Sequence, residues 1–365
     1  MTDATASTHP LRWLADKPSE LMRGVSAISY KKGASFLAMI TAILGTDDFY
    51  EGVKAFLNKY SYDAVEAYEL YEAWYQAGSR AKKTFKNIST FVDFCQEWTD
   101  QIGFPLISVK SVNDSTFEVT QERYKKDPTE ADPTEYNISP WYNFRWDVPL
   151  WYQMNDEPEK MNWLEMGKPL YIPANTASTT IVVNVDRYGF YRQNYDLEGW
   201  EKIGKQLLQK HTVYSLRTRN AIISDAFAAA LVDRIEYMTA LDLLKYLKEE
   251  AIYMRSVLLS IYKKEFFDEL SRNHTDDRFF FDNKLKMEII EAICSTGETS
   301  CIDEYAKLFK QEVHVKCKEG MRASECVKVA APLRAGTYCY GVHRIGEAAS
   351  NKVTKRTSIA QTMSK

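Results

Sequence analysis

The sequence predicts a multidomain α+β protein with a helical segment, an antiparallel β-sandwich and then an incomplete α-helical solenoid. Three observations predict this architecture. Apolar residues recur at helical spacing over residues 1–103. Short β-branched and aromatic runs, separated by turn residues, fill residues 104–190. The helical period returns over residues 191–346 and fades in a polar tail at residues 347–365. A chain of 365 residues is also too long for one small core.

The first segment begins with two predicted helices. One starts at Ser35 and ends at Gly45, because glycine readily adopts the left-handed backbone that closes a helix. Its apolar face is formed by Phe36, Leu37, Ile40, Ile43 and Leu44. The next helix takes Thr46 as its cap, continues with acidic residues that suit a helix N-terminus, and runs to about Tyr60.

Two further helices of this segment are rich in aromatic residues. On the third predicted helix, one face carries Ala64, Ala67, Tyr68, Tyr71 and Trp74. The fourth is capped by Ser89 or Thr90, and its apolar face carries Phe91, Phe94, Cys95 and Trp98. On that face we interpret Cys95 as a packed thiol rather than a reactive one.

The middle segment carries the strand predictions. The β-branched or aromatic runs lie at residues 106–109, 116–120, 142–148 and 180–185. Aspartate, asparagine and proline residues separate them, and this spacing predicts an antiparallel sandwich.

The last segment returns to helical periodicity. Apolar stripes define helices around Trp200, Ile222, Leu244, Ile290 and Tyr305. Successive helix pairs joined by short polar loops predict an α-solenoid, although the sequence has no exact repeat. The last helices keep their apolar stripes, so we expect an exposed apolar patch and early unfolding at this end.

The composition is that of an ordinary globular protein, with 45% hydrophobic residues and a net charge of −3. A sequence pI near 6.1 and the lack of a basic stripe argue against a nucleic-acid partner. No apolar run approaches the roughly 18 residues of a membrane span. The first ten residues carry no signal-peptide core, so any secretion signal would lie outside this sequence.

Motifs of known catalytic chemistry are absent from the sequence. His-Glu-x-x-His, which would supply zinc ligands, does not occur. Neither do Gly-x-Ser-x-Gly, Gly-x-Gly-x-x-Gly or a phosphate-binding Gly-Lys-Ser/Thr. The five histidines are His9, His211, His274, His314 and His343. The chain therefore offers no metal site, no cofactor site and no evident nucleophile.

Tyr30 is the residue to which we assign a chemical role. It lies in Ile-Ser-Tyr-Lys-Lys-Gly-Ala-Ser, residues 28–35, at the entry to the first helix. A phenol is a neutral donor at pH 7 and is suited to stabilising an oxyanion in acyl transfer. The alternative is a tyrosine packed in the core, one of 23 in the chain.

The motif around Tyr30 resembles the segment after the zinc site in zinc aminopeptidases of the aminopeptidase N type, the gluzincin ectopeptidases. Further stretches resemble that family in the same order, covering residues 1 to about 345. They lie at residues 3–11, 98–109, 120–124, 146–149 and 188–196. The chain thus resembles the C-terminal portion of such an enzyme, beginning inside the catalytic domain after the zinc-binding motif.

This resemblance implies both a fold and a function. Residues 1–103 would be the helical end of a thermolysin-like domain, followed by the sandwich and a truncated helical domain. Tyr30 would donate to the tetrahedral oxyanion while an N-terminal residue is released from a peptide substrate. The complete family enzyme requires zinc, but this chain lacks the zinc motif and the Gly-x-Met-Glu-Asn loop that holds the substrate amino group. We therefore expect the chain to be inactive alone.

The six cysteines include no Cys-x-x-Cys pair. Six residues between Cys294 and Cys301 would let the two thiols meet, and the resemblance implies a disulfide there. Cys339 resembles a family cysteine whose partner lies beyond this sequence, but Cys317 or Cys326 could pair with it instead. The choice among these pairings stays open.

Sequons for N-glycosylation begin at Asn87, Asn113 and Asn273, and a fourth at Asn137 is followed by Pro140. Together with the cysteines, they favour an extracellular or plasma-membrane ectodomain in the secretory pathway over a cytosolic protein. The resemblance leaves a homodimer open.

Three hypotheses follow. The leading one is the C-terminal portion of a zinc aminopeptidase; the second is a non-catalytic paralogue that binds peptides or protein partners. The third is an incomplete gene model, which we favour over a complete protein because Met1 aligns with an interior position of the family. The reading frame upstream of Met1 would decide: a His-Glu-x-x-His there would indicate the enzyme.

Overall fold

The computed structural model describes residues 2–5, 8–12, 24–132, 142–317 and 326–346. Within these residues the chain forms thirteen α-helices and seven β-strands, which confirms the mixed α+β class. The chain divides into two compact units, Met1–Tyr246 and Leu247–Lys365.

Five α-helices lie in the described part of the first hundred residues. They are α1 (Gly33–Leu44), α2 (Thr46–Lys59), α3 (Ala67–Ala77), α4 (Ser79–Thr84) and α5 (Ile88–Thr99). Helix α1 ends at Gly45 as predicted, where φ is 82°. It begins at Gly33, earlier than predicted, and it buries Met39, whereas Leu37 is 41% exposed.

Helix α5 is capped by a residue other than the two predicted. The Thr90 N–H donates to Asn87 Oδ1 at 2.9 Å, and the Asn87 N–H donates back to the Thr90 hydroxyl at 3.2 Å. Ser89 and Thr90 therefore lie inside the helix, and Asn87 is the cap. The predicted apolar face is confirmed, because all four of its members are buried: Phe91, Phe94, Cys95 and Trp98.

The seven strands form two sheets. They are β1 (Pro105–Asn113), β2 (Thr116–Arg123), β3 (Val148–Met154), β4 (Lys160–Leu164), β5 (Leu170–Pro173), β6 (Ile181–Val183) and β7 (Arg192–Tyr195). One sheet has the order β5-β2-β1-β7 and the other the order β4-β3-β6. Val109 of the first sheet and Leu150 of the second belong to the same hydrophobic core. The face-to-face packing of a sandwich stays a prediction.

Two details of the predicted sheet are wrong. Strands β1 and β7 run parallel, so the larger sheet is mixed rather than purely antiparallel. Of the strand predicted at residues 142–148, residues 142–147 do not form a strand, because Asn143 and Phe144 adopt φ values of 50° and 53°. Strand β3 begins only at Val148.

Three further helices complete the first unit: α6 (Leu197–Lys210), α7 (Leu216–Ala230) and α8 (Tyr237–Asp242). Their buried residues join the core formed by α1–α5 and both sheets. Four fully buried tryptophans mark this core: Trp74, Trp98, Trp146 and Trp200. One hydrophobic core therefore includes residues from the helices that precede the sheets, from both sheets and from the helices that follow them.

The second unit is helical within its described residues. Its helices are α9 (Leu247–Leu259), α10 (Glu265–Asn273), α11 (Phe280–Ser295), α12 (Thr299–Leu308) and α13 (Arg334–Ile345). Two smaller clusters form its core, one around Ile290 and Tyr305 and one around Phe309 and Val313. A solenoid arrangement of these helices stays a prediction.

Some sequence predictions lie outside the described residues. They are the helix start at residues 17–22, the Asn137 sequon and the polar tail at 347–365. Among the helices that are described, none has both the length and the apolar character needed to cross a bilayer.

Candidate functional site

The turn that carries Tyr30 is a π-helical segment, Ile28–Lys32, leading directly into α1. Ser26 fixes its start, because the backbone N–H groups of Ile28 and Ser29 donate to Ser26 Oγ at 3.2 and 3.3 Å. His9 Nε2 lies 2.7 Å from the same hydroxyl. Single π-helical turns occur often at functional sites, and this one is held by side chains from two segments.

A buried ion pair anchors the end of the turn. Lys32 Nζ lies 2.9 Å from Asp3 Oδ2 and donates to the backbone carbonyls of Gln101 and Gly103 at 2.9 and 3.0 Å. Asp3 Oδ1 accepts the Gly103 N–H at 2.9 Å. Burial lowers the pKa of Lys32, although the Asp3 carboxylate opposes that shift. The ion pair therefore joins the N-terminal segment, the turn and the start of the sheet.

Tyr30 itself is 69% exposed, so it is not a core tyrosine. Its backbone N–H donates to the Ser26 carbonyl at 3.2 Å. No group in the described part of the chain hydrogen-bonds to its hydroxyl. The backbone is thus fixed while the phenol is free to donate to a ligand, as an oxyanion donor requires.

A cavity of about 660 Å³ opens beside the same helix. Ala34 and Ala38 line it, four and eight residues after Tyr30, at positions that share one helix face. The wall also includes aromatic and charged side chains: Phe104, Phe190, Tyr191, Asp186, Arg187, Arg192 and Arg217. The cavity is thus lined by the first two turns of α1, the helix that follows the Tyr30 turn.

Two of the cavity arginines share one carboxylate. Asp225, which is buried on α7, accepts hydrogen bonds through Oδ1 from Arg192 and from Arg187, the latter at 3.1 Å. Its Oδ2 accepts the Gln193 N–H at 3.2 Å. Arg217 is exposed and makes no ion pair with any described residue. The cavity wall thus carries three arginines beside Asp186, and the Glu159 carboxylate lies within electrostatic reach of Asp186.

The loop that presents Arg187 has an unusual backbone. Asn184, Asp186 and Arg187 adopt φ values of 57°, 51° and 56°, which are costly for residues other than glycine. The Asn184 side chain holds the loop by donating to the carbonyls of Gly189 and Tyr191 at 3.1 and 2.7 Å. Such strain persists only where surrounding contacts enforce it, and here they do.

The described residues offer no site that fits the zinc implied by the resemblance. The described residues contain no group of three or more His, Cys, Asp or Glu side chains that could hold a metal ion. The sequence as a whole also lacks a histidine pair at zinc-binding spacing. We therefore assign no step through a metal to this chain.

The cysteines form two disulfides in the second unit. One joins Cys294 to Cys301, as the resemblance implied, and the other joins Cys317 to Cys326. Because Cys317 and Cys326 pair with each other, neither of them pairs with Cys339, which is an exposed free thiol. Cys95 is also free but buried, and burial raises the pKa of its thiol, as expected for a packed cysteine.

The three described sequons differ in their surroundings. Asn87 is exposed and caps α5 through Oδ1. Asn113 is exposed at the β1–β2 turn, where its Oδ1 accepts from both the N–H and the hydroxyl of Ser115. Asn273 is half-buried at the end of α10. Glycosylation at these positions stays a prediction.

Sequence reasoning proposed a role for Tyr30, which stays a prediction, but did not single out the residues that hold its turn or line the cavity. Asp3 and Arg192 lie in two of the recognised motifs, residues 3–11 and 188–196, without being singled out. The asparagine at position 184 is a weak sequence signal for a left-handed backbone, because asparagine tolerates this conformation better than most residues. The burial of Lys32 leaves no such signal.

Two protein families match separate parts of the chain. Residues 1–98 match the Peptidase family M1 domain, and residues 180–264 match the ERAP1-like C-terminal domain. Aminopeptidase N of Haemonchus contortus is 40% identical over 96% of this chain and 39% of its own length. Glutamyl aminopeptidase of Bos taurus is 26% identical over 98% of the chain and 38% of its own length.

Human aminopeptidase N is also similar, at 28% identity over 94% of this chain and 37% of its own length. The chain thus spans about two fifths of the length of these relatives. Tyr30 lies in the region that matches the Peptidase family M1 domain. The loop that carries Arg187 lies in the region that matches the ERAP1-like C-terminal domain.

Proposed function

Because the chain belongs to the zinc aminopeptidase family of the aminopeptidase N type, we propose that it serves in the release of N-terminal residues from peptides. Tyr30 is the residue we assign to the reaction. In peptide hydrolysis the carbonyl oxygen becomes an oxyanion as the tetrahedral intermediate forms, and a fixed neutral donor stabilises that charge more than the ground state.

The observation that carries this proposal is the contrast between a fixed backbone and a free phenol at Tyr30. The Ser26 hydroxyl and the Lys32 ion pair hold the turn at its two ends. A donor already held in place needs little reorganisation when charge develops. Peptidases of family M1 depend on zinc in general, and we propose that its ligands come from residues other than these 365.

We also propose an extracellular or plasma-membrane location in the secretory pathway. Two disulfides support it, because disulfides persist mainly in oxidising compartments. The exposed sequons at Asn87 and Asn113 agree with this location. A homodimer stays a prediction.

A second candidate function is a non-catalytic module that binds peptides. The arginine-lined cavity favours it, because peptide binding needs neither a metal nor a nucleophile. The two functions differ in what Tyr30 does: the module has no use for an oxyanion donor.

The test is a chimaera in which this chain replaces the aligned region of Haemonchus contortus aminopeptidase N. We expect the chimaera to cleave aminoacyl reporters, and Tyr30→Phe to lower kcat by roughly a hundredfold or more with little change in KM. Tyr50→Phe is the matched control, since Tyr50 is 64% exposed on α2. The chain alone should hold no stoichiometric zinc and release no amino acid. An unchanged kcat in Tyr30→Phe would contradict the role assigned to this tyrosine.

A further inference from the structure

We infer that Ser26 is a positioning residue for Tyr30, and that His9 sets the direction in which the Ser26 hydroxyl points. This inference rests on the proposed function, because the reaction step belongs to Tyr30. Ser26 and His9 act through the backbone of the turn and need no contact with the substrate. Their part is to hold the oxyanion donor in place.

Three consecutive backbone N–H groups end on Ser26. Those of Ile28 and Ser29 donate to its Oγ at 3.2 and 3.3 Å, and that of Tyr30 donates to its carbonyl at 3.2 Å. The first N–H groups of a helical turn have no acceptor within the turn, so an acceptor just before it fixes how the turn begins. Because the direction of a side chain follows its backbone, Ser26 sets the direction in which Tyr30 leaves the turn.

The hydrogen of the Ser26 hydroxyl can be assigned by counting. A hydroxyl has one hydrogen and two lone pairs, and the Ile28 and Ser29 N–H groups take both lone pairs. The hydrogen therefore needs an acceptor, and His9 Nε2 at 2.7 Å is closer than the Ser29 hydroxyl at 3.3 Å. The Ser29 hydroxyl donates its own hydrogen to the Gly24 carbonyl. The Ser26 O–H thus donates to His9.

The tautomer of His9 leads to the same assignment. Its Nδ1 lies 2.7 Å from the Pro10 carbonyl, which can only accept, so Nδ1 carries the hydrogen. In a neutral imidazole the other nitrogen is then an acceptor, and Nε2 receives the Ser26 O–H. The His9 side chain is buried, which keeps the ring in place. One chain of hydrogen bonds therefore runs from Pro10 through His9 and Ser26 to the turn.

Loss of either member should displace the phenol of Tyr30 without removing it. Without the Ser26 hydroxyl, two N–H groups at the start of the turn lose their acceptor. Without an acceptor at His9, the hydroxyl can rotate its lone pairs away from them. Lys32 still anchors the other end of the turn. A displacement of about 1 Å can lower turnover by roughly a hundredfold, so the rate is sensitive even where the fold is kept.

A double-mutant cycle in the chimaera tests the role of Ser26. We expect Ser26→Ala to lower kcat about tenfold with KM nearly unchanged, and Ser26→Thr, which keeps the hydroxyl, to stay within about threefold of wild type. In the Tyr30→Phe background, Ser26→Ala should lower kcat by less than about twofold more, because no donor remains to be displaced. A merely structural role would lower kcat by the same factor in both backgrounds. Ser61→Ala is the matched control, since Ser61 is exposed and its hydroxyl donates to the Leu57 carbonyl on α2.

His9→Gln and His9→Leu test the second member of the chain. Both remove the Nδ1 donor, but only glutamine offers an oxygen that can accept the Ser26 O–H. We expect His9→Leu to lower kcat about tenfold and His9→Gln by at most about threefold. Once Ser26→Ala is present, His9→Leu should add less than about twofold, because His9 acts through Ser26. Ser26→Ala decides if His9→Leu fails to fold, since Ser26 is only half-buried.

Hydrogen exchange of the 365-residue chain gives a readout that needs no activity. The amides of Ile28 and Ser29 should exchange about tenfold faster in Ser26→Ala, while those of α5 keep their wild-type rates. Unchanged exchange at these two amides, or an equal loss of kcat from Ser26→Ala in both backgrounds, would overturn the inference even where Tyr30→Phe lowers turnover as expected. An unchanged kcat in Tyr30→Phe would instead contradict the proposed function, and the inference with it.

Discussion

Three consecutive residues, Tyr30, Lys31 and Lys32, have different surroundings in one π-helical turn. The tyrosine and the first lysine are exposed, while the second lysine is buried beside Asp3. A buried ion pair gains little net stability, because the desolvation of both ions offsets their attraction. We interpret the pair as a device that fixes the position of Tyr30, since it joins the turn to Gly103 and the N-terminal segment.

Lys32→Met should therefore destabilise the protein far more than Lys31→Met. Removing Lys32 leaves the Asp3 carboxylate buried without its cation, which costs about 3–5 kcal/mol. Lys31 is an exposed neighbour of the same chemical type, and its loss should change the free energy of unfolding by less than about 0.5 kcal/mol. Urea denaturation of both variants measures the difference. Equal effects would mean that the buried pair does not anchor the turn.

At the same scale, the sequence points to a candidate functional residue more readily than to the residues that hold it in place. Tyr30 could be proposed because a family motif surrounds it. The burial of Lys32 could not be predicted, because hydrophobic periodicity places every lysine on the surface. It also gives no information about a partner far away in sequence, such as Asp3. Arg187 was missed for another reason: its position depends on backbone angles that the Asn184 side chain enforces.

At the scale of elements, helices were predictable and strands were less so. Helix α5 presents its predicted apolar face because 3.6-residue periodicity is a local property. Strands β4 and β5 were missed because both are short and largely exposed, which leaves no apolar alternation to detect. Strand β7 pairs in parallel with β1, more than eighty residues away in sequence, and no local pattern encodes that pairing.

A buried carboxyl group connects α5 to the residue before β3, and it should make the free energy of unfolding depend on pH. Glu97 Oε2 accepts the Asp147 N–H at 2.7 Å. Burial raises the pKa of Glu97 to about 8, the nearby Asp147 and Asp93 carboxylates add to the shift, and the hydrogen bond from Asp147 opposes it. The protonated form is therefore the one that the folded chain prefers.

Because this pKa lies above that of an unfolded glutamate, the stabilisation is complete below about pH 4.5 and is lost as the pH rises through 8. We expect the free energy of unfolding to fall by a few kcal/mol over that window, at about 1.4 kcal/mol per pKa unit. Glu97→Gln keeps an acceptor for the Asp147 N–H and should flatten the profile, whereas Glu51→Gln, at an exposed site on α2, should not. Denaturation curves between pH 5 and 9 would contradict this assignment if Glu97→Gln kept the wild-type slope.

At the scale of the whole molecule, the two compact units are stabilised in different ways. The first has one large core that continues through α1–α8 and both sheets. The second has two smaller clusters, and both disulfides lie there. Cys294 and Cys301 are themselves members of the larger of these clusters. Crosslinks thus supplement a core that buries fewer apolar side chains.

Reduction of the disulfides should therefore act on one unit only. The two bridges span seven and nine residues of sequence, and closing loops of this size stabilises a fold by roughly 2–3 kcal/mol each. Hydrogen exchange with and without a phosphine reductant should show lost protection at α11–α13 and unchanged protection in β1 and β2, which act as an internal control. The double variant Cys294→Ala/Cys301→Ala should reproduce part of the loss without reductant. If both units lost protection together, their stabilities would be coupled despite the separate cores; if neither did, the small clusters would suffice without crosslinks.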